Sequence, residues 1–194
     1  MSRVLTLASA SPRRRALLEM LGIPIRVIAG SVPEVRGPGE DPATYAERLA
    51  REKAESVAGE FVLGADTTVV LDGELMEKPA DAEDAFRMLT RLQGREHQVR
   101  TAVALATSRG TEVRTDVTRV TFRPAAAGFL RAYVATGEPM DKAGAYGIQG
   151  YGAALVERVD GDFFSVMGLP LRLVLELMEA AGWPYEFGVP VAAR

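Results

Sequence analysis

Two serines and three arginines crowd into LASASPRRRALL, residues 7–18, on the seam between a short apolar run and an amphipathic one. Such a seam is where a strand hands over to a helix. The first turn of a helix leaves backbone N–H groups unpaired and carries a partial positive charge. Serine hydroxyls at Ser9 and Ser11 add donors, and the guanidinium forks of Arg13 and Arg14 offer paired, permanently charged contacts to phosphate oxygens. The combination reads as a phosphate cradle built without a glycine-rich loop. A plainer use stands beside it: Ser11 as a helix cap, with the arginines turned to water.

Three further groups have chemistry to offer. Asp66 lies inside VLGADTTVV, residues 62–70, an otherwise apolar strand pattern. A carboxylate there must be paired, bound to a metal or set on a cavity wall, because burying an unpaired charge costs several kcal/mol. Lys78, in MEKP, is a point charge suited to a phosphate, or a solvated surface lysine. In DKAGAYGIQG, residues 141–150, glycines allow close backbone approach to a ligand, and Gln149 carries both a donor and an acceptor, as a nucleobase edge requires. That segment also reads as a surface turn. His97 opens a strand pattern apart from these groups and is read as structural rather than as an acid–base catalyst.

The elements that must position these residues alternate between strand and helix patterns. Strands are expected over residues 4–8, 25–29, 61–71, 96–106, 111–122 and 153–159. Helices are expected over 11–21, opened by Ser11 and Pro12; 43–58, opened by Asp41 and Pro42; 81–91, capped by Asp81; 124–136; and 169–181. Asp72-Gly73 marks a hairpin after the third strand. Interleaved strands and helices with hairpins in the middle give an α/β class with a mixed sheet. No repeat or linker interrupts the pattern, so residues 1–194 are read as a single domain.

Composition narrows the chemistry. The 194 residues are 47% hydrophobic and 25% charged, ordinary for a soluble globular protein. The formal net charge of −3, and the lack of aromatics beside the arginines, argue against nucleic acid as a partner. With no cysteine and one histidine, thiolate catalysis, zinc–sulfur sites and His-rich metal sites are excluded. Any divalent ion would rest on carboxylates and phosphate oxygens, which suits magnesium or manganese. The chain shows neither a signal-peptide pattern nor a membrane-length apolar run, so a cytoplasmic location and no membrane partner are expected.

Taken in order and spacing, LASASPRRRALLEMLGI, GADTTVVLDG, GREHQVRTAV and DKAGAYGIQG resemble the Maf family of nucleoside triphosphate pyrophosphatases, from about residue 5 to 171. Arg13, Thr67 and Gln149 make the sequence similar to the dTTP/UTP branch rather than the 7-methyl-GTP branch. The resemblance implies an elongated α/β fold with two lobes around a cleft, similar to the inosine triphosphate pyrophosphatases. It implies metal-assisted hydrolysis of dTTP and UTP, or base-modified relatives of them, to the monophosphate and diphosphate. On that resemblance Asp66 is the proton acceptor, Ser9, Arg13 and Arg14 form the phosphate-binding loop, and Lys53, Lys78, Thr67 and Gln149 contact substrate. Glu34 joins Asp66 on the metal. Two positions depart from the family pattern: Pro33 stands before Glu34 where many relatives have an acid, and Glu77 stands before Lys78 where they have glycine.

The resemblance also suggests a homodimer, with the apolar tail WPYEFGVPV, residues 183–191, either covering a partner or packing on its own core. An alternative function keeps the nucleotide site without turnover, as a regulator of cell division and septum formation.

Overall fold

The structure, a computed structural model, describes residues 3–187. The class is α/β with a mixed sheet. The seven strands of that sheet, among the described residues, are β1 (Leu5–Leu7), β2 (Ile25–Val27), β3 (Phe61–Leu71), β4 (Glu74–Met76), β5 (Glu96–Thr107), β6 (Gly110–Phe122) and β7 (Val156–Asp160). Their order is β2-β1-β3-β5-β6-β7, with β4 on β3. β1 runs parallel to both β2 and β3, while β3–β4 and β6–β7 are antiparallel pairs. The helices are α1 (Pro12–Met20), α2 (Pro42–Glu55), α3 (Ala82–Leu92), α4 (Ala127–Ala135), α5 (Phe163–Met167) and α6 (Leu171–Ala180). None is long and apolar enough to cross a membrane.

The chain divides into two compact units. Among the described residues, one comprises 3–66, 101–116 and 168–187, and the other 67–100 and 117–167. The boundaries fall within β3, β5 and β6 and between α5 and α6. In the first unit, alanines 46, 50 and 54 of α2 meet Ala102 and Ala104 of β5. Small side chains there let helix and sheet lie close. In the second unit, Val69, Leu71, Leu89, Leu92, Phe122, Leu130 and Leu155 belong to one larger buried cluster.

Helix starts follow the expected caps. The Ser11 hydroxyl accepts from Arg14 N–H at 3.5 Å, Asp41 from Ala43 N–H at 2.8 Å and Asp81 from Asp84 N–H at 2.8 Å. Each satisfies a donor that the first helical turn leaves open.

Three expectations require correction. The helix expected from Pro124 begins only at Ala127, because Ala125 N–H turns out to the Gln93 side chain at 3.3 Å and Arg123 N–H bonds to the Leu155 carbonyl at 2.9 Å. Ala153–Leu155, expected as strand, forms part of a 3₁₀ turn, Tyr151–Leu155, and pairing starts at Val156. The N–H groups that open that turn donate to the Glu138 carboxylate rather than to a ladder. Helix α5 was not foreseen. Its signal is Asp162, whose carboxylate accepts from Phe164 N–H at 2.8 Å and Ser165 N–H at 3.3 Å.

The apolar tail, residues 183–191, lies partly outside the described residues, at 188–191. In the described part, Trp183 packs edge-on against Phe61 with centroids 5.1 Å apart, and the Tyr185 hydroxyl donates to the Leu21 carbonyl at 2.8 Å. Both contacts stay within the first unit.

Candidate active site

In the first unit, the site grows from the contact between α2 and β3. A Cβ on Gly64 would stand 2.2 Å from the Ala50 carbonyl oxygen and 2.5 Å from Ala54 N, so only glycine allows the helix to lie this close. Gly64 and Asp66 are two apart on β3 and share a face. The close approach lays the last turn of α2 over that face and brings Lys53 to Asp66. The Lys53 ammonium donates to Asp66 Oδ1 at 2.7 Å and to Glu34 Oε1 at 2.6 Å. Side-chain exposure falls from 41% at Glu34 to 12% at Lys53 and 10% at Asp66, so the cluster runs inward from the surface.

Burial pushes the Asp66 carboxyl above its ordinary value. The Lys53 charge and hydrogen bond pull the other way, as does the charge of Arg14, while the Glu34 charge adds to the rise. The result is a sheltered carboxylate more basic than a free aspartate, with two cations in its field. Glu34 and Asp66 both reach one ammonium group, so the two carboxylates share the Lys53 cation. Among the described residues no cluster of three or more His, Asp or Glu groups forms a metal site.

The N-terminal seam contributes to the same unit. Ser9 is buried, and its hydroxyl accepts from Ser11 N–H at 3.2 Å and from Arg14 Nη1 at 3.3 Å. Arg14 Nε donates to the Gly168 carbonyl at 2.7 Å. Burial lowers the Arg14 pKa, and the Asp66 charge opposes that effect. The guanidinium is thus held in a fixed orientation within the field of Asp66. Arg13 is half-buried one residue before it. The structure therefore assembles Ser9, Arg14, Glu34, Lys53 and Asp66 in one unit.

The remaining expected residues lie in the second unit. Thr67 is half-buried on β3, Lys78 is exposed two residues after β4, and Gln149 is exposed on the glycine-rich segment. That segment is a surface turn only at Gln149 and Gly150, which are exposed; Ala145, Tyr146 and Ile148 are buried, and Gly144 N–H donates to the Glu77 carbonyl at 3.2 Å. Its glycines make close internal contacts: a Cβ on Gly144 would meet Val69, one on Gly147 would meet Lys142 and one on Gly150 would meet Glu138. Here lies a residue that sequence reasoning missed. Glu138 Oε1 accepts from the Tyr133 hydroxyl at 2.8 Å and Gly152 N–H at 2.9 Å, and Oε2 from Tyr151 N–H at 2.8 Å. Burial raises the Glu138 pKa, but the bonds from Gly152, Tyr133 and Tyr151 outweigh it and the net shift is downward. The available signal was an acid shortly before a run of glycines, where open N–H groups accumulate.

His97 is buried in the second unit, its Nε2 2.9 Å from the Tyr146 hydroxyl and its ring edge-on to Phe122 and Tyr146. Burial pushes its pKa down to about 4, leaving a neutral imidazole with no partner at Nδ1. It is a core residue, as read.

Known proteins align with nearly the whole of this framework. The family described as Maf-like protein matches residues 4–181. The dTTP/UTP pyrophosphatase of Myxococcus xanthus is 52% identical over 185 residues, 93% of this chain and 94% of that protein. Those of Koribacter versatilis and Thermus thermophilus are each 50% identical, across 92% of this chain and 94% and 95% of their own lengths. Among solved structures, the Staphylococcus aureus Ham1 protein is similar at a TM-score of 0.47 and 17% identity, over 62% of this chain and 72% of that chain, too loose a likeness to bear on fold or function.

Proposed function

The chain belongs to the Maf family, and from that premise we propose that it hydrolyses pyrimidine nucleoside triphosphates, dTTP and UTP, to the monophosphate and diphosphate. Relatives of about half-identical sequence bear the name dTTP/UTP pyrophosphatase. The observation that carries the reading is the Asp66 carboxylate: buried, raised in pKa and held on Lys53 at 2.7 Å.

Hydrolysis between the α- and β-phosphates needs a water aimed at phosphorus, a base for its proton and cations for the developing charge. Asp66 is the base. Its raised pKa strengthens it as a proton acceptor, while Lys53 favours the ionised form that can accept. Water oxygen bonds to the α-phosphorus as the bond to the bridging oxygen breaks, the diphosphate leaves with that electron pair, and the water proton passes to Asp66. Arg14, fixed through Gly168 and Ser9, binds phosphate oxygens together with Arg13 and the Ser9 hydroxyl. Lys78 adds a charge for the phosphates, and Thr67 and Gln149 hydrogen-bond the pyrimidine edge.

Glu34 and Asp66 would hold a divalent cation, magnesium or manganese, whose usual shell of one or two carboxylates completed by phosphate oxygens and water suits this pair. When bound it supplies further neutralisation of phosphate charge.

Diphosphate release from dTTP and UTP, assayed with magnesium or manganese, tests the reading. Wild-type protein releases diphosphate, and Asp66→Asn lowers kcat by about a thousandfold or more while nucleotide binding persists. Near-wild-type turnover by Asp66→Asn would remove Asp66 from its role.

A further inference from the structure

The segment bearing Gln149 is a short turn gripped at both ends by one pair of side chains. At its near end, Gly147 N–H donates to the Tyr133 hydroxyl at 3.1 Å. At its far end, Tyr151 and Gly152 donate to the two oxygens of Glu138, and the Tyr133 hydroxyl closes the circuit by donating to Glu138 Oε1 at 2.8 Å. Within the turn, Gly150 N–H bonds back to the Gly147 carbonyl at 3.2 Å.

The glycines fit this grip sterically. A Cβ on Gly150 would stand 2.1 Å from Glu138 Oε2, and one on Gly152 would stand 2.7 Å from both the Gly147 carbonyl oxygen and the Tyr133 hydroxyl. Beneath the turn, Lys142 donates to the Glu138 backbone carbonyl at 2.6 Å and to Asp141 at 2.5 Å, which fixes the backbone from which the carboxylate springs. Gly147, Ile148 and Gly152 are buried, while Gln149 between them is exposed. The N–H groups of Gly147, Tyr151 and Gly152 therefore point inward, while the Gln149 amide faces out.

We propose that Glu138, bridged through Tyr133, is a positioning residue for base selection: it holds the 147–152 backbone so that Gln149 presents its amide in one orientation. The inference rests on the proposed pyrimidine-triphosphate reading and deepens it, because an amide selects a base edge only when its donor and acceptor are fixed in place. Charge-assisted bonds from backbone N–H to carboxylate are the stronger class of hydrogen bond, and they suit a turn with little other regular structure.

The test measures kcat and KM for dTTP and for a purine competitor, dGTP, in wild-type protein and in Glu138→Gln, Tyr133→Phe, Gly150→Ala and Gln149→Ala. Glu138→Gln replaces one of the two accepting oxygens by an amide donor, which then faces one of the two backbone N–H groups. Tyr133→Phe removes a single hydroxyl and is the mildest to the fold. Gly150→Ala pushes the carboxylate out of its seat from the other side. Each of the three lowers the dTTP/dGTP ratio of kcat/KM by about tenfold or more, chiefly through KM for dTTP, and kcat at saturation stays within about threefold of wild type.

A merely structural role lowers the active fraction for both substrates alike and leaves the ratio intact, which overturns the proposal. So does a selective wild type whose selectivity vanishes in Gln149→Ala yet survives in Glu138→Gln and Tyr133→Phe; in that case the proposed function stands. Absence of diphosphate release by wild-type protein sinks the function and this inference together.

Discussion

Asp66 and Glu138 are both carboxylates drawn into hydrogen-bonded clusters, one in each unit, yet their surroundings drive their acidities in opposite directions. Asp66 is buried within the first unit and bonded to the side-chain ammonium of Lys53, and desolvation prevails, so it holds its proton more tightly than a free aspartate. Glu138 is half-buried and accepts from two backbone N–H groups and a phenol, and those bonds prevail over desolvation, so it releases its proton more readily. Two carboxylates of one chain thus divide the work. The raised one is suited to accept a proton, and the lowered one stays ionised as an anchor.

The comparison can be broken most forcefully from the Asp66 side without touching a charged residue. In Gly64→Ala, the new Cβ meets the backbone of α2 at Ala50 and Ala54, which cannot turn aside as a side-chain tip would. The helix must move off β3 and carry Lys53 away from Asp66. A loss of about 3 kcal/mol or more in stability is expected, in the range of severe overpacking. Diphosphate release should fall with it, while the dTTP/dGTP ratio of the residual activity is unchanged. Chemical denaturation and the two-substrate assay read both; a fully stable and active Gly64→Ala would sever the link between helix packing and the base.

The opposite acidities predict opposite pH dependences of stability. A group whose pKa is raised on folding contributes stability below its unfolded pKa, and that contribution is lost as pH rises through the folded value. A group whose pKa is lowered contributes above its unfolded pKa and loses that contribution as pH falls through the folded value. In metal-free protein kept in EDTA, Asp66→Asn should therefore improve relative to wild type as pH rises above the ordinary carboxylate range. Glu138→Gln should be most destabilised, by about 1–3 kcal/mol, near neutral pH and recover toward wild type below the ordinary carboxylate range. Thermal melts across that range measure it, and parallel pH profiles for the two variants would dissolve the contrast.

The smallest effect is expected at His97. Its imidazole, pushed down to about 4 by burial, contributes no titration near neutrality. Nuclear magnetic resonance of its ring protons should show the neutral form down to about pH 5. A midpoint near the ordinary histidine value would mean that the Phe122–Tyr146 cage admits water.

Much of this was legible in sequence because local chemistry dictates it. Ser11-Pro12, Asp41-Pro42 and Asp81 each satisfy an open helical N–H from within a few residues, and each starts a helix. The apolar run through Phe61–Leu71 forms one strand over its full length, with Asp66 buried in it. What failed was non-local. Ala153–Leu155 has strand-like residues, but its neighbours' N–H groups are taken by a carboxylate at position 138. Nor does the sequence pattern show that the glycines near Gln149 pack against Glu138, Lys142 and Tyr133.

By itself, the sequence determined the class of fold, the starts of α1, α2 and α3, the family and the residue types able to work on a phosphate chain. Caps, alternation and motif spacing act over a few residues, so they are written in the order of the chain. Tertiary structure alone decided which cation meets Asp66, how far burial raises its pKa, and that Glu138 grips the turn carrying Gln149. Those outcomes depend on desolvation and on distances between groups far apart in the chain, which exist only once helix α2 has closed on β3 and the second unit has packed its core.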